Sequence, residues 1–195
     1  MNDYKNIKAS ILKYYPVSDE TFEMLFSAFK KHTFLPKTEI ITKGKLDKKV
    51  YFIEQGLTRS YCTIDAKEVT SWFSKEGDVT FGLLDLYRNK PGFEYVETLE
   101  NCVAYSVTID RINELCESRI DFTNFWLKIH QECLLAVQEH RVSRLSMTAK
   151  ERYLMWINDY SDLHSRINLG YVASFLGMEL PTLSKIRNEL VLKKG

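Results

Sequence analysis

Val172-Ala-Ser-Phe-Leu-Gly-Met-Glu-Leu-Pro-Thr-Leu-Ser-Lys-Ile-Arg-Asn-Glu-Leu190 reads as two short helices hinged at Gly177. Two helices that cross steeply over a short turn dictate which residue types can stand where they touch. Ala173 is small at the place where the second helix must pass closest. Gly177, four positions on, supplies the left-handed backbone that a β-carbon penalises. Val172, Leu176, Met178, Leu183 and Ile186 fall where apolar side chains must lock the pair together. Pro181 suits the first turn of the second helix, where its missing N–H would be unpaired anyway. A purely structural αα-hairpin would meet only some of these constraints, so the pattern favours a helix-turn-helix that reads DNA.

With the second helix in the major groove, the outward side chains are Thr182, Ser184, Lys185 and Asn188, with Glu179 and Leu180 at the tip. Lys185 can reach guanine O6/N7 or a phosphate, and Asn188 can pair with adenine. Thr182 and Ser184 suit phosphates or base edges. Arg187 and Lys193-Lys194 add salt-sensitive affinity for the backbone. From His140 onward nine Lys/Arg face five Asp/Glu, so that end carries +4 of the total +1 and the rest carries −3. A basic end on a slightly acidic body agrees with a small nucleic-acid-binding domain.

Working back along the 195 residues, the pattern changes twice. From about Ile120 to Ser146 the chain is free of Gly and Pro and reads as one long helix. Along it Phe122, Trp126, Ile129, Cys133, Ala136 and His140 recur at steps of three and four, the spacing of a seam between helices. Leu127, Leu134, Val142 and Leu145 occupy other faces, so one side packs on the chain's own body and another meets a partner helix. The seam is assigned to a homodimer; a single wide core face would give the same pattern. Thr108 to Cys116 reads as a shorter helix, and Thr148 caps a further one starting at Ala149.

Between about Thr33 and Val107 short runs such as Lys49-Val-Tyr-Phe-Ile-Glu and Glu68-Val-Thr-Ser-Trp-Phe are rich in β-branched and aromatic residues. They are punctuated by Gly44, Gly56, Gly77, Gly82 and Pro91-Gly92, which predicts a jelly-roll β-barrel. Before it, Ser18 caps a helix with Phe22, Leu25, Phe26 and Phe29 on one face. The fold class is therefore α+β. Residues 1–118 form a sensor barrel with N-terminal helices, 119–146 a dimerisation helix, and 147–195 the DNA-binding domain.

Taken together, the barrel, the long helix and Val172-Ala-Ser-Phe-Leu-Gly…Thr-Leu-Ser-Lys-Ile-Arg resemble the Crp/Fnr (cyclic-AMP receptor protein) family of bacterial transcription regulators, in its Bacteroidetes form. Val50-Tyr-Phe-Ile-Glu-Gln-Gly-Leu-Thr-Arg-Ser-Tyr61, Trp72-Phe-Ser-Lys-Glu-Gly-Asp78 and Thr148-Ala-Lys-Glu-Arg-Tyr153 carry the likeness through the rest of the chain. The resemblance implies a homodimer on double-stranded DNA, RNA polymerase as a further partner, and a small-molecule effector held in the barrel. Two departures stand out. Glu179-Leu180-Pro181 occupies the tip where the family often carries base-reading Arg and Glu, and the chain ends before the β-hairpin wing of many members.

The family's cyclic-AMP cassette has the form Gly-Glu-…-Arg-Ser/Thr-Ala, because a phosphate diester needs a cation and donors facing it. Here Phe81-Gly82-Leu83 puts leucine in the place of the ribose-binding Glu, and Phe93-Glu94-Tyr95 stands where Arg-Ser should be. Glu94 and Glu97 repel a phosphate, so the cassette is degenerate and cyclic AMP is not the expected ligand. Arg59 and Arg88 read as solvated or salt-bridged. Arg59, Trp72, Phe81, Gly82, Leu83 and Tyr95 are the candidate lining of a pocket for another ligand, or for none.

No cofactor or metal is expected. No Cys precedes Cys62, as an iron–sulfur sensor would need, and His32, His130, His140 and His164 are placed outside the barrel, where a haem protein or cupin metalloenzyme keeps its ligands. Cys62, Cys102, Cys116 and Cys133 lack close spacing and read as reduced, mostly buried thiols. No catalytic constellation appears, so an enzyme is not expected. The alternatives to a DNA-binding regulator are a regulator acting through protein contacts and, behind it, a cupin-like metalloenzyme. No membrane span or signal peptide is visible, which predicts a cytoplasmic protein.

Overall fold

The computed structural model describes residues 4–192. Two helices, α1 (Lys5–Tyr14) and α2 (Asp19–Ser27), lead into β1 (Lys30–Phe34), β2 (Glu39–Ile41), β3 (Lys49–Gln55), β4 (Thr58–Ile64), β5 (Lys67–Ser74) and β6 (Val79–Phe81). A short helix α3 (Leu83–Arg88) precedes β7 (Tyr95–Thr98) and β8 (Cys102–Thr108). Then come α4 (Ile109–Ser118), α5 (Ile120–Ser146), α6 (Ala149–Asp159), α7 (Leu169–Phe175) and α8 (Leu180–Leu192).

The strands form two four-stranded sheets in the orders β1-β8-β3-β6 and β2-β7-β4-β5. That interleaving is the jelly roll expected from the spacing of the strand signals. Two of its turns show why the chain bends where it does. Asp65 and Ala66 have φ of 48° and 63°, the paired left-handed residues of a two-residue hairpin between β4 and β5. Gly56 follows β3 at φ +100°, and a β-carbon there would meet the Asn101 carbonyl oxygen at 2.6 Å, so only glycine fits.

The chain divides into two compact units, residues 1–62 with 72–132, and residues 63–71 with 133–195. In the first, Val50 and Phe52 of β3 and Tyr105 and Val107 of β8 bury one face of their sheet under Ile7, Ile11, Phe22, Leu25, Ile112, Leu115, Phe122 and Phe125. The helical face foreseen on α2 is this contact: Phe22 and Leu25 are buried, while Phe26 and Phe29 pack at its margin. The helix starts are fixed by side-chain caps at Ser18 and Thr108. Asp121 ties α2 to the start of α5, accepting from Ser18 N–H at 2.9 Å, from the Thr21 hydroxyl at 2.9 Å and from Phe122 N–H at 2.9 Å.

In the second unit Trp156, Leu163, Ile167, Val172, Ala173, Phe175, Leu176, Leu183 and Ile186 are buried. Thr148 and Glu151 close a full capping box at the start of α6, as the threonine before Ala149 foreshadowed. The tip of the β4–β5 hairpin belongs to this unit. Thr70 N–H donates to Ser174 Oγ at 3.0 Å, and Ser174 Oγ donates to the Glu68 carbonyl at 3.3 Å.

Two sequence expectations need correction. The barrel starts at Lys30, not Thr33, so His32 lies on a barrel strand, with Nε2 2.8 Å from Ser106 Oγ. The exposed Lys30-Lys31 hid the start of that strand, since lysines lack the β-branched and aromatic signature that begins only at Thr33. Among the described residues no three His, Cys, Asp or Glu side chains are grouped to hold a metal. Of the four free cysteines only Cys102 is buried; Cys62 and Cys116 are half-buried and Cys133 is exposed.

Candidate functional site

Gly177 sits between α7 and α8 at φ +66°, the left-handed conformation inferred from its position. Around it the chain ends are tied down. Arg152 donates from Nε to the Leu176 carbonyl at 2.8 Å and from Nη1 to the Met147 carbonyl at 2.7 Å. A third, longer contact runs from its Nη2 to the Gly177 carbonyl at 3.4 Å. A guanidinium facing a helix C-terminus answers carbonyls that have no intrahelical donor. The Arg144 guanidinium lies beside the same turn, with Nε 2.8 Å from where a Gly177 β-carbon would stand. His140 stacks on Phe175 with ring centroids 4.2 Å apart, its Nε2 2.9 Å from the Phe175 carbonyl oxygen. Burial lowers the His140 pKa first, the Phe175 contact pulls it up, and Arg144 and Arg152 lower it further, leaving it below its ordinary value.

The two faces of α8 separate cleanly. Leu183 and Ile186 are buried against the pair, and Met178 just before the helix is half-buried. Glu179, Leu180, Thr182, Lys185, Arg187 and Asn188 are exposed, and Ser184 is half-buried. Seven side chains singled out in the sequence therefore share the outward side and tip of one helix. Lys150 Nζ lies 3.8 Å from Glu189, which draws one acid of that surface toward α6. Lys193 and Lys194 lie outside the described residues.

The six positions expected to line a pocket do not all share one surface, although Arg59 and Tyr95 lie on the same face of the β4–β7 pair. Arg59 is fully buried and pairs with Glu97, Nη1 to Oε1 at 3.0 Å, while its guanidinium lies 4.2 Å from the Tyr61 ring centroid. Tyr95 stacks on Tyr61 at 5.0 Å across the β4–β7 pair. Between them Val96 joins Ile41 and Tyr51, so alternation puts the Arg59–Glu97 pair and the tyrosine stack on the opposite face of these strands. Phe81 instead packs toward α5, its ring 6.3 Å from Trp126 and 6.1 Å from His130. Leu83 is exposed, Trp72 is half-buried on β5, and Gly82 caps α3. Arg59 therefore neutralises Glu97, a pairing across strands that linear spacing does not reveal.

The α5 stripe read as a seam is divided between surroundings. Phe122 is 0% exposed inside the first unit's core, and Trp126 and Ile129 pack against that core, so these three face inward. His140 is taken up by Phe175, Ala136 is half-buried, and Cys133 is exposed. A core stripe and a dimer seam have the same three-four spacing, which is why sequence could not separate them. Ile120, Leu127, Leu134, Leu135, Val142 and Leu145 are exposed instead, Leu134 at 69% and Leu145 at 78%. Ile120, Leu127 and Leu134 repeat at sevens, and Asn124, Gln131, Gln138 and Leu145 fill the intervening heptad positions.

One carboxylate escaped the sequence reading. Asp85, on α3, is 2% exposed. Burial raises its pKa first, with the Asp47 charge adding to the effect. An acid inside an apolar-looking Leu-Leu-Asp-Leu run would have been the signal.

Residues 31–119 match the cyclic nucleotide-binding domain family. A search of curated proteins returned no match. Among solved structures, the chain is similar to FixK2 of Bradyrhizobium japonicum, at TM-score 0.75 and 16% identity over 85% of this chain and 86% of that one. It is also similar to CLP of Xanthomonas campestris, described as a c-di-GMP-responsive global regulator, at TM-score 0.73 and 13% identity over 91% and 93%. A CooA variant from Carboxydothermus hydrogenoformans gives TM-score 0.73 and 15% identity over 94% and 84%. These are regulators of the Crp/Fnr kind, and at such identities the likeness is one of fold. The chain is thus a cyclic nucleotide-binding-like β-sandwich with helices, in the architecture of those regulators. No helix among the described residues is long and apolar enough to cross a membrane.

Proposed function

We propose that the protein is a homodimeric, DNA-binding transcription regulator of the Crp/Fnr type, of the Bacteroidetes form, and not an enzyme. The observation that carries this reading is the outward face of α8. Thr182, Lys185, Arg187 and Asn188 are exposed on a helix whose other face is locked by Leu183 and Ile186, and Glu179 is exposed just before it. α7 and α8 act as the helix-turn-helix, with α8 in the major groove. Lys185 contacts guanine or phosphate, Asn188 adenine, and Thr182, Ser184 and Arg187 the backbone. Glu179 at the tip accepts from a cytosine amine, and Leu180 sits against the groove wall.

The dimer forms through the exposed α5 face of Ile120, Leu127, Leu134 and Leu145, which sets two α8 helices about one DNA turn apart. Its exposed polar heptad positions Gln131 and Gln138 fix register at some cost in stability. In the cytoplasm the dimer acts at promoters alongside RNA polymerase. Its barrel responds to a small ligand other than cyclic AMP, because Leu83 and Glu94 replace the ribose and phosphate partners of the cassette and Arg59 is committed to Glu97. Selection from random duplex DNA tests the reading: a conserved, two-fold motif is expected, and recovery of unenriched sequence contradicts it.

A further inference from the structure

The cassette region holds acids that the fold leaves uncompensated. Asp85 is 2% exposed, and neither carboxylate oxygen makes a hydrogen bond; the nearest help is the Asp47 backbone N–H. Its Oδ2 occupies the place a β-carbon on Gly82 would need, so the carboxylate reaches this position only because residue 82 is glycine. Glu94 stands close enough for the Asp85 charge to act on it, and its Oε1 is buried without a hydrogen bond. The Leu83 backbone N–H favours its ionised form, yet burial dominates and holds its pKa above the ordinary value. Asp47, the third acid, is answered: Tyr51 Oη donates to it at 2.6 Å and Lys49 Nζ lies 3.2 Å away.

A buried carboxylate acting on a half-buried one whose Oε1 is shielded is costly unless a proton or a cation joins them. The described residues offer no group of three ligands for a metal ion. A compact organic cation carrying several N–H donors fits better, since it can be shared between two acids without a coordination polyhedron. Leu83, Tyr87 and Phe93, exposed beside these acids in sequence, offer apolar surface for an alkyl chain. We propose that Asp85 and Glu94 bind a small organic cation, an alkylammonium or guanidinium. The barrel site then has the opposite charge preference to a cyclic phosphate site. The proposal does not depend on DNA binding and is tested without it.

The test is calorimetric titration of the full chain with agmatine, which carries both head groups, and with putrescine, at neutral pH and matched ionic strength. At least one is expected to bind and to raise the melting temperature above a sodium chloride control. Asp85→Asn and Glu94→Gln, each checked for fold by circular dichroism, should each weaken binding at least tenfold. If one variant does not fold, the other decides. Neither amine binding, or unchanged binding in the folded variants, overturns the proposal. So does stabilisation by calcium alone, which would make it a metal site, or by acid alone, which would make it a proton site.

Discussion

Replacing Gly177 with alanine puts a β-carbon on backbone held at φ +66°. An L-residue in the left-handed region costs about 1–2 kcal/mol. The new carbon would also stand 2.8 Å from Arg144 Nε and Nη2, but Arg144 is exposed and its flexible end can swing aside. That collision therefore adds only tenths, and the expected loss stays at about 1–2 kcal/mol, several degrees in melting temperature for a small unit. Gly177→Asn should lose less than half as much, because its short polar side chain tolerates this conformation. Urea unfolding gives the total, and amide exchange at Leu183 and Ile186 shows whether the loss is local to the α7–α8 pair. The alanine variant should also bind duplex DNA more weakly, since α8 is then less firmly presented. An alanine variant as stable as wild type, or an asparagine variant worse than alanine, would refute the left-handed turn.

Arg152→Ala removes two good hydrogen bonds to turn carbonyls and should cost about 2–3 kcal/mol, read by the same unfolding experiment. Leu127→Glu with Leu134→Glu puts four acids into the proposed dimer face, at about 1–2 kcal/mol lost per leucine, and should give a folded monomer by analytical ultracentrifugation; an unchanged dimer would place the interface elsewhere. Asp121 has a pKa of about 2, because hydrogen bonds from Ser18, Thr21 and Phe122 outweigh the upward push of burial. Its folded value is depressed, so its contribution is whole above pH ~4 and is lost as pH falls toward 2, about 2–3 kcal/mol in all; Asp121→Asn should flatten that limb of a pH–stability curve. His140 is also lowered, so its contribution is whole above pH ~6.5 and declines below it as the unfolded chain takes up the proton first; His140→Phe should remove that slope between pH 7 and 5.

How much could be read in advance depended on whether a feature was local. The span of α5 from Ile120 to Ser146, the caps at Ser18 and Thr148, and the left-handed Gly177 all follow from neighbouring residues, and sequence found each of them. The strand spacing also carried the jelly roll. What sequence missed depends on what faces what. Phe122 and Leu127 are both apolar on one helix, and only the position of the sheet core tells which is inside. Arg59 and Glu97 are far apart in the chain and become partners through β4–β7 register. His32 belonged to a strand whose lysines disguised it. Asp85 looked like one acid in a short helix until its burial against Gly82 was visible.

The most direct test of the central claim is the salt dependence of duplex DNA binding by wild type and Lys185→Ala, measured on the sequence that selection yields. The account predicts that wild-type affinity falls steeply with rising salt, and that the variant loses ~1–3 kcal/mol on that sequence if Lys185 meets a base. A wild-type protein whose affinity for every duplex is weak and indifferent to salt would contradict it.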